Sequence, residues 1–118
     1  GRTVYVAAAQ LVDEWGAGLI GGYGYSEVGA VVGATHREQG EKLRKEHPHM
    51  FFLVPGYGAQ GATAKDIVGM FDEKGGGAIV NNSRGILAAW QKTGLPAVQA
   101  ATDAAKRMQE DLAAQLAL

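Results

Sequence analysis

Hydrophobic and polar positions follow two rhythms along this chain, one helical and one of short apolar runs. Residues 3–15 place Val4, Ala8, Leu11, Val12 and Trp15 on one stripe at helical spacing, and Gly16 and Gly18 stand where that helix would end. Residues 19–26, with Gly21, Gly22 and Gly24, have loop composition. The near-continuous apolar run at 28–34 predicts a strand covered on both faces. Thr35 and Glu38 have capping-box spacing and would open a charged helix over about 36–47, stopped by Pro48. A second apolar run, 51–54, is followed by a glycine-rich loop and a second capping pair, Thr63 and Asp66. The helix predicted from about 64 to 72 ends at Gly75-Gly76-Gly77. A third run, 78–80, leads through Asn81-Asn-Ser-Arg-Gly85 into a short helix near 86–91. Pro96 fits the first turn of a last helix, about 96–117. Its apolar stripe is Leu95, Val98, Ala101, Ala105, Met108, Leu112 and Leu116, and Asp103, Lys106, Arg107, Glu110 and Asp111 lie mostly off it.

Strands therefore begin near 28, 51 and 78, each followed by a helix, with no Asn-Gly hairpin signal between them. That order predicts an α/β fold with a parallel sheet. Three parallel strands alone leave two unpaired edges, whereas a closed (β/α)8 TIM barrel takes about 250 residues. The 118 residues thus predict a single partial domain, a half-barrel with a C-terminal covering helix.

Composition narrows the function classes. The chain is 47% hydrophobic with a formal net charge of −1, enough for a core and without the basic footprint of a nucleic-acid or anionic-membrane binder. No apolar run approaches the roughly 20 residues of a membrane helix, and no signal peptide is visible. The absence of Cys removes disulfides and thiolate metal sites and fits a cytoplasmic setting. The chain opens Gly1-Arg-Thr-Val without Met, and the expectation is a piece of a longer protein.

The chemistry is concentrated at Gly56-Tyr-Gly58-Ala-Gln-Gly61. Strand, glycine loop and helix start in that order suit a phosphate, because backbone N–H groups converge there. The spacing also matches the dinucleotide fingerprint, but a ribose-binding acid is expected at the end of the next strand, where this chain has Asn81 and Asn82. In barrels the loops after strands seven and eight commonly share a phosphate site. With 51–54 and 78–82 as those strands, Gln60 supplies an amide donor, Arg84 a planar fork, and Ser83 and Arg84 backbone N–H groups. The plain alternatives are a tight turn for the glycines and a surface salt bridge for Arg84. Asp72-Glu-Lys74 reads as a solvated helix end, His36, His47 and His49 as surface residues without metal-ligand spacing, and Ser26 and Ser83 lack triad partners.

Residues 52–63 (Phe-Leu-Val-Pro-Gly-Tyr-Gly-Ala-Gln-Gly-Ala-Thr), taken with 78–86 (Ala-Ile-Val-Asn-Asn-Ser-Arg-Gly-Ile), resemble the orotidine 5′-phosphate decarboxylases, in particular their type 2 bacterial branch. Residues 24–36 are similar to that family's sixth strand and the start of its next helix. The resemblance covers most of 1–92. It implies the C-terminal half of a (β/α)8 barrel, completed by an N-terminal half. It also implies a cytoplasmic homodimer that removes CO2 from orotidine 5′-monophosphate to give UMP, with no metal or organic cofactor. Gln60, Ser83 and Arg84 would bind the 5′-phosphate, and Pro55 and Gly56 would shape the rim. The family's catalytic Asp-x-Lys-x-x-Asp motif does not occur in 1–118, so no catalytic residue is expected in this chain. Two other readings stay open: another phosphate-binding barrel such as a sugar-phosphate decarboxylase, and a non-catalytic half-barrel that binds nucleotides or assembles with itself.

Overall fold

The computed structural model describes residues 1–58 and 60–117; Ala59, inside the glycine-rich motif, and Leu118 lie outside the described residues. The elements run α1 (Val4–Gly16), β1 (Ala30–Val31), α2 (Arg37–Glu46), β2 (Phe52–Val54), α3 (Ala64–Ile67) continued by a 3-10 turn (Val68–Met70), β3 (Ala78–Val80), α4 (Ser83–Leu87), α5 (Ala89–Thr93) and α6 (Ala97–Leu116). The strands form one parallel sheet in the order β1-β2-β3, with Ala30, Phe52 and Ala78 in one register row and Val31, Leu53 and Ile79 in the next. This is the predicted βα succession.

Strand residues alternate between two faces, so each register row has its own environment. Phe52 and Val54 are fully buried against Met50, Ile67 and Met70, with Val32, Ala34 and Leu43 in the same core. The opposite face is open: Val31 is 68% exposed and Ile79 56%. The expected cover on both faces of the first strand is therefore not what this structure has. Among the described residues the helices pack on one side, and the second apolar face is left exposed.

The helices depart from the sequence pattern in informative ways. On α1 the predicted stripe is exposed at Val4, Ala8, Leu11 and Trp15. The buried line is instead Tyr5, Ala9, Val12 and Gly16, where small residues permit close approach. The Thr35–Glu38 box does not form, because α2 begins one residue later with His36 at its cap and no side-chain cap bond. The Thr63–Asp66 box does form, with Thr63 N–H donating to Asp66 at 2.8 Å. Those bonds hold the Asp66 carboxyl below its ordinary pKa. The short helix expected at 86–91 starts at Ser83 and continues as α5 to Thr93. On α6, Pro96 caps the helix from just outside it, and the buried line runs through Ala100, Met108 and Leu112, leaving Val98 and Ala105 exposed.

The N-terminal ends of the strands are closed by one residue. Arg44 is buried and donates to the carbonyls of Met70 (2.8 Å), Gly77 (2.7 Å), Met50 (2.9 Å) and His47 (3.3 Å). Its guanidinium carbon lies 4.0 Å from the Phe52 ring centroid. Met50 and Gly77 stand just ahead of β2 and β3, so one side chain fixes both strand entries to α2 and to the 3-10 turn. Burial lowers the Arg44 pKa, but carbonyl oxygens accept from Nε, Nη1 and Nη2 and offset the cost of burying the charge. His47, expected at the surface, is buried at the end of α2, 3.4 Å from the Asp13 carboxylate of α1.

Candidate anion-binding site

The C-terminal ends of β2 and β3 carry the glycine loop and the start of α4. Val54 leads into Pro55, whose carbonyl accepts from Ala34 N–H at 2.9 Å, so the rim is anchored to the segment following β1. Gly56 then takes φ 111°, a conformation that L side chains rarely adopt. A Cβ there would also lie 3.2 Å from Ala34 Cβ and 3.4 Å from Gln60 Oε1, so the Gln60 side chain folds back over the bare backbone. Gly58 at φ 74° turns the chain again, and its N–H donates to Ala62 O at 2.8 Å, closing the loop on itself.

The next strand delivers the facing wall. Asn82 is the N-cap of α4, its side chain accepting from Gly85 N–H at 3.1 Å. Ser83 and Arg84 therefore occupy the first turn, where N–H groups have no intrahelical carbonyl partner. The predicted residues are brought together: Pro55, Gly56, Gln60, Ser83 and Arg84 all line one cavity of about 110 Å³. Among the described residues Arg84 has no carboxylate within 4.0 Å, so the surface ion pair weighed against an anion role is not formed there. The cavity offers a guanidinium, amide donors and backbone N–H groups, and no carboxylate of the described residues lines it. Such a lining attracts an anion.

Tyr57, Asn81 and Asn82 complete the lining and were not singled out from the sequence as ligands. Asn82 carries a legible signal, an N-cap residue three positions before a glycine. Tyr57 carries none beyond its place between two glycines.

Larger cavities lie elsewhere among the described residues, and two of them bear on the sequence reading. One, about 280 Å³, is an apolar gap between α1, β1 and α2, lined by Tyr5, Val12 and Leu43 among others. The other, about 440 Å³, flanks Arg44 and Asp72 at the opposite end of the sheet. Asp72 there is half-buried rather than a simply solvated helix end. Its carboxylate accepts from the Tyr25 hydroxyl and from the N–H groups of Lys74 and Gly76, both at 2.9 Å. Ser26 is structural as well, donating to Gly16 O at 3.0 Å and accepting from Val28 N–H at 3.1 Å.

The chain is similar to known proteins in sequence and in fold. No family model matches the sequence. The chain is 47% identical over 92 residues to the orotidine 5′-phosphate decarboxylase of Clostridium acetobutylicum, a match covering 78% of this chain and 32% of that one. With the Rhodopirellula baltica enzyme of the same name the identity is 48% over 92 residues, covering 78% and 30%. The solved OMP decarboxylase of Leishmania donovani superposes with a TM-score of 0.72 at 28% identity, over 99% of this chain and 40% of that one. Over most of its length the chain is thus similar, in sequence and in fold, to orotidine 5′-phosphate decarboxylases. The UMP synthase of Leishmania donovani, also at TM-score 0.72 and 30% identical, covers 97% of this chain and 23% of its own. The chain spans about a third of the length of the curated decarboxylases it matches. Its three parallel strands and their helices accordingly match a portion of the TIM barrel of the solved neighbours. No helix of the described residues is long and apolar enough to cross a membrane.

Proposed function

We propose that this chain supplies the 5′-phosphate-binding part of an enzyme that decarboxylates orotidine 5′-monophosphate to UMP. The observation that carries the proposal is the convergence of Gln60, Ser83 and Arg84 on one cavity at the C-terminal ends of adjacent barrel strands. Arg84 would pair with the phosphate oxygens through its planar fork, with Gln60 and the Ser83 and Arg84 N–H groups as further donors. Pro55 and Gly56 shape the rim. A grip on a remote phosphate assists the reaction because its binding energy holds and desolvates the distant reacting group.

The protonating lysine of the Asp-x-Lys-x-x-Asp motif lies on an N-terminal half-barrel, since residues 1–118 lack that motif. The open row of Val31, Leu53 and Ile79 supports such a partner, because this apolar face is the one a closed barrel turns inward. The working enzyme is a cytoplasmic homodimer using no metal or organic cofactor, as the family resemblance implies. The test is decarboxylation by the 118-residue chain alone and by the complete polypeptide. The complete polypeptide is expected to turn over and the chain alone to stay at background. Turnover by the chain alone would overturn the placement of the lysine.

A further inference from the structure

The glycine loop closes on itself through backbone hydrogen bonds, Gly58 N–H to Ala62 O and Gly61 N–H to Gly58 O, both at 2.8 Å, but its glycines offer no side chains to tie it to the rest of the fold. Tyr57 stands between Gly56 and Gly58, both at positive φ, so the flanking backbone has no side chains to fix it. Its ring packs on the hydrophobic core, and its hydroxyl donates to Asp111 Oδ2 on α6 at 2.6 Å, across 54 positions of sequence. Tyr57 and Asn82 are also the two residues that line both the anion cavity and a second cavity of about 330 Å³ bounded by Arg107, Met108 and Asp111. They form the wall between the phosphate-binding loop and the last helix.

We propose that Tyr57 is a positioning residue, tethered by Asp111 so that α6 fixes the glycine loop and with it the place of Gln60. The proposal rests on the phosphate reading of the cavity. Tyr57 does not touch the anion through its hydroxyl, which is committed to Asp111. It acts by limiting how far the loop bearing Gln60 moves away from Arg84, a cost otherwise met at each binding event. Burial, and then the bond to Asp111, push the hydroxyl pKa up to about 12, so the donor keeps its proton throughout the neutral range.

The experiment measures Kd for UMP and for uridine in the complete polypeptide, with Tyr57→Phe, Asp111→Ala, Asp111→Asn and the double variant Tyr57→Phe/Asp111→Ala. Tyr57→Phe and Asp111→Ala are each expected to weaken UMP about fivefold, the worth of one hydrogen bond, and to leave uridine unchanged. Asp111→Asn keeps an acceptor oxygen and is expected to retain most of the UMP affinity. The double variant is expected to be no weaker than either single one, because both remove the same bond. Equal losses for UMP and uridine, or additive losses in the double variant, overturn the tether. Arg84→Ala separates the two levels. If it discriminates UMP from uridine and Tyr57→Phe does not, the tether alone is wrong. If Arg84→Ala does not discriminate them, the phosphate reading and the tether fall together.

Discussion

The two ends of the sheet solve opposite problems with the same kind of residue. At the N-terminal end Arg44 is buried and committed to backbone carbonyls and to the Phe52 ring. At the C-terminal end Arg84 is exposed, lines a cavity, and has no carboxylate partner among the described residues. The first guanidinium is a finished structural joint. The second lines a cavity and pairs with no carboxylate among the described residues, the state the proposed phosphate role requires. Barrel enzymes divide labour this way, with stability below the strands and chemistry above them.

Substituting the joint gives the largest effect. Arg44→Met removes the donors and leaves several carbonyls at the strand entries without partners, and it is expected to cost about 3–5 kcal/mol of stability. Denaturant unfolding of the complete polypeptide reads this. A loss under 1 kcal/mol would mean that water replaces the guanidinium, and the contrast between the two arginines would lose its structural half.

Gln60→Ala comes next, at the other end. It is expected to lower the affinity for UMP by about 1.5–3 kcal/mol, the worth of a hydrogen bond to a charged group, with the unfolding midpoint unchanged. Titration of UMP checks the first part and thermal unfolding the second.

Asn82→Ala touches both roles at a smaller scale. Losing the cap on α4 is expected to cost about 1 kcal/mol of stability and to loosen the first turn that carries Ser83 and Arg84. Denaturant unfolding and UMP titration of the same variant show whether the two losses accompany one another.

The smallest effect is a pH dependence. The Tyr25 hydroxyl, with the Gly76 and Lys74 N–H groups and nearby Arg44, holds the Asp72 carboxyl below its ordinary pKa. A group depressed in the folded state contributes stability above its unfolded pKa, about 3.9, and that contribution is lost as pH falls through the lower folded value. Asp72→Asn is therefore expected to be less stable than the parent at pH 7, with the gap closing below about pH 4. A gap independent of pH would assign the effect to hydrogen-bond geometry rather than charge.

These contrasts also show which features the sequence discloses. The apolar runs at 28–34, 51–54 and 78–80 announce three strands because burial of Phe52 and Val54 requires that hydrophobicity. They do not disclose that the Val31, Leu53 and Ile79 face is bare, since a run of apolar residues is the same whether or not its partner is present. On α1 the large residues Leu11 and Trp15 attract the eye, yet Ala9 and Gly16 make the contact. A pattern weighted by side-chain size points to the wrong face wherever close approach decides. The Thr35 box fails by one residue, a shift that periodicity cannot resolve, and His47 is buried by an α1–α2 approach that no local signal encodes.

The juxtaposition of the candidate site residues was more legible than the packing around them. Gln60, Ser83 and Arg84 stand in two motifs separated by one βα unit, and parallel pairing of β2 with β3 brings them together. Tyr57 and Asp111 were not legible as a pair, because their meeting depends on where α6 docks.

The central claim is that Arg84 is kept available for a phosphate. Its most direct test compares kcat/KM for orotidine 5′-monophosphate and for orotidine in the complete polypeptide and its Arg84→Ala variant. The phosphorylated substrate is expected to lose about 2–4 kcal/mol of transition-state stabilisation and the unphosphorylated one almost none. Equal losses on both substrates would contradict the account.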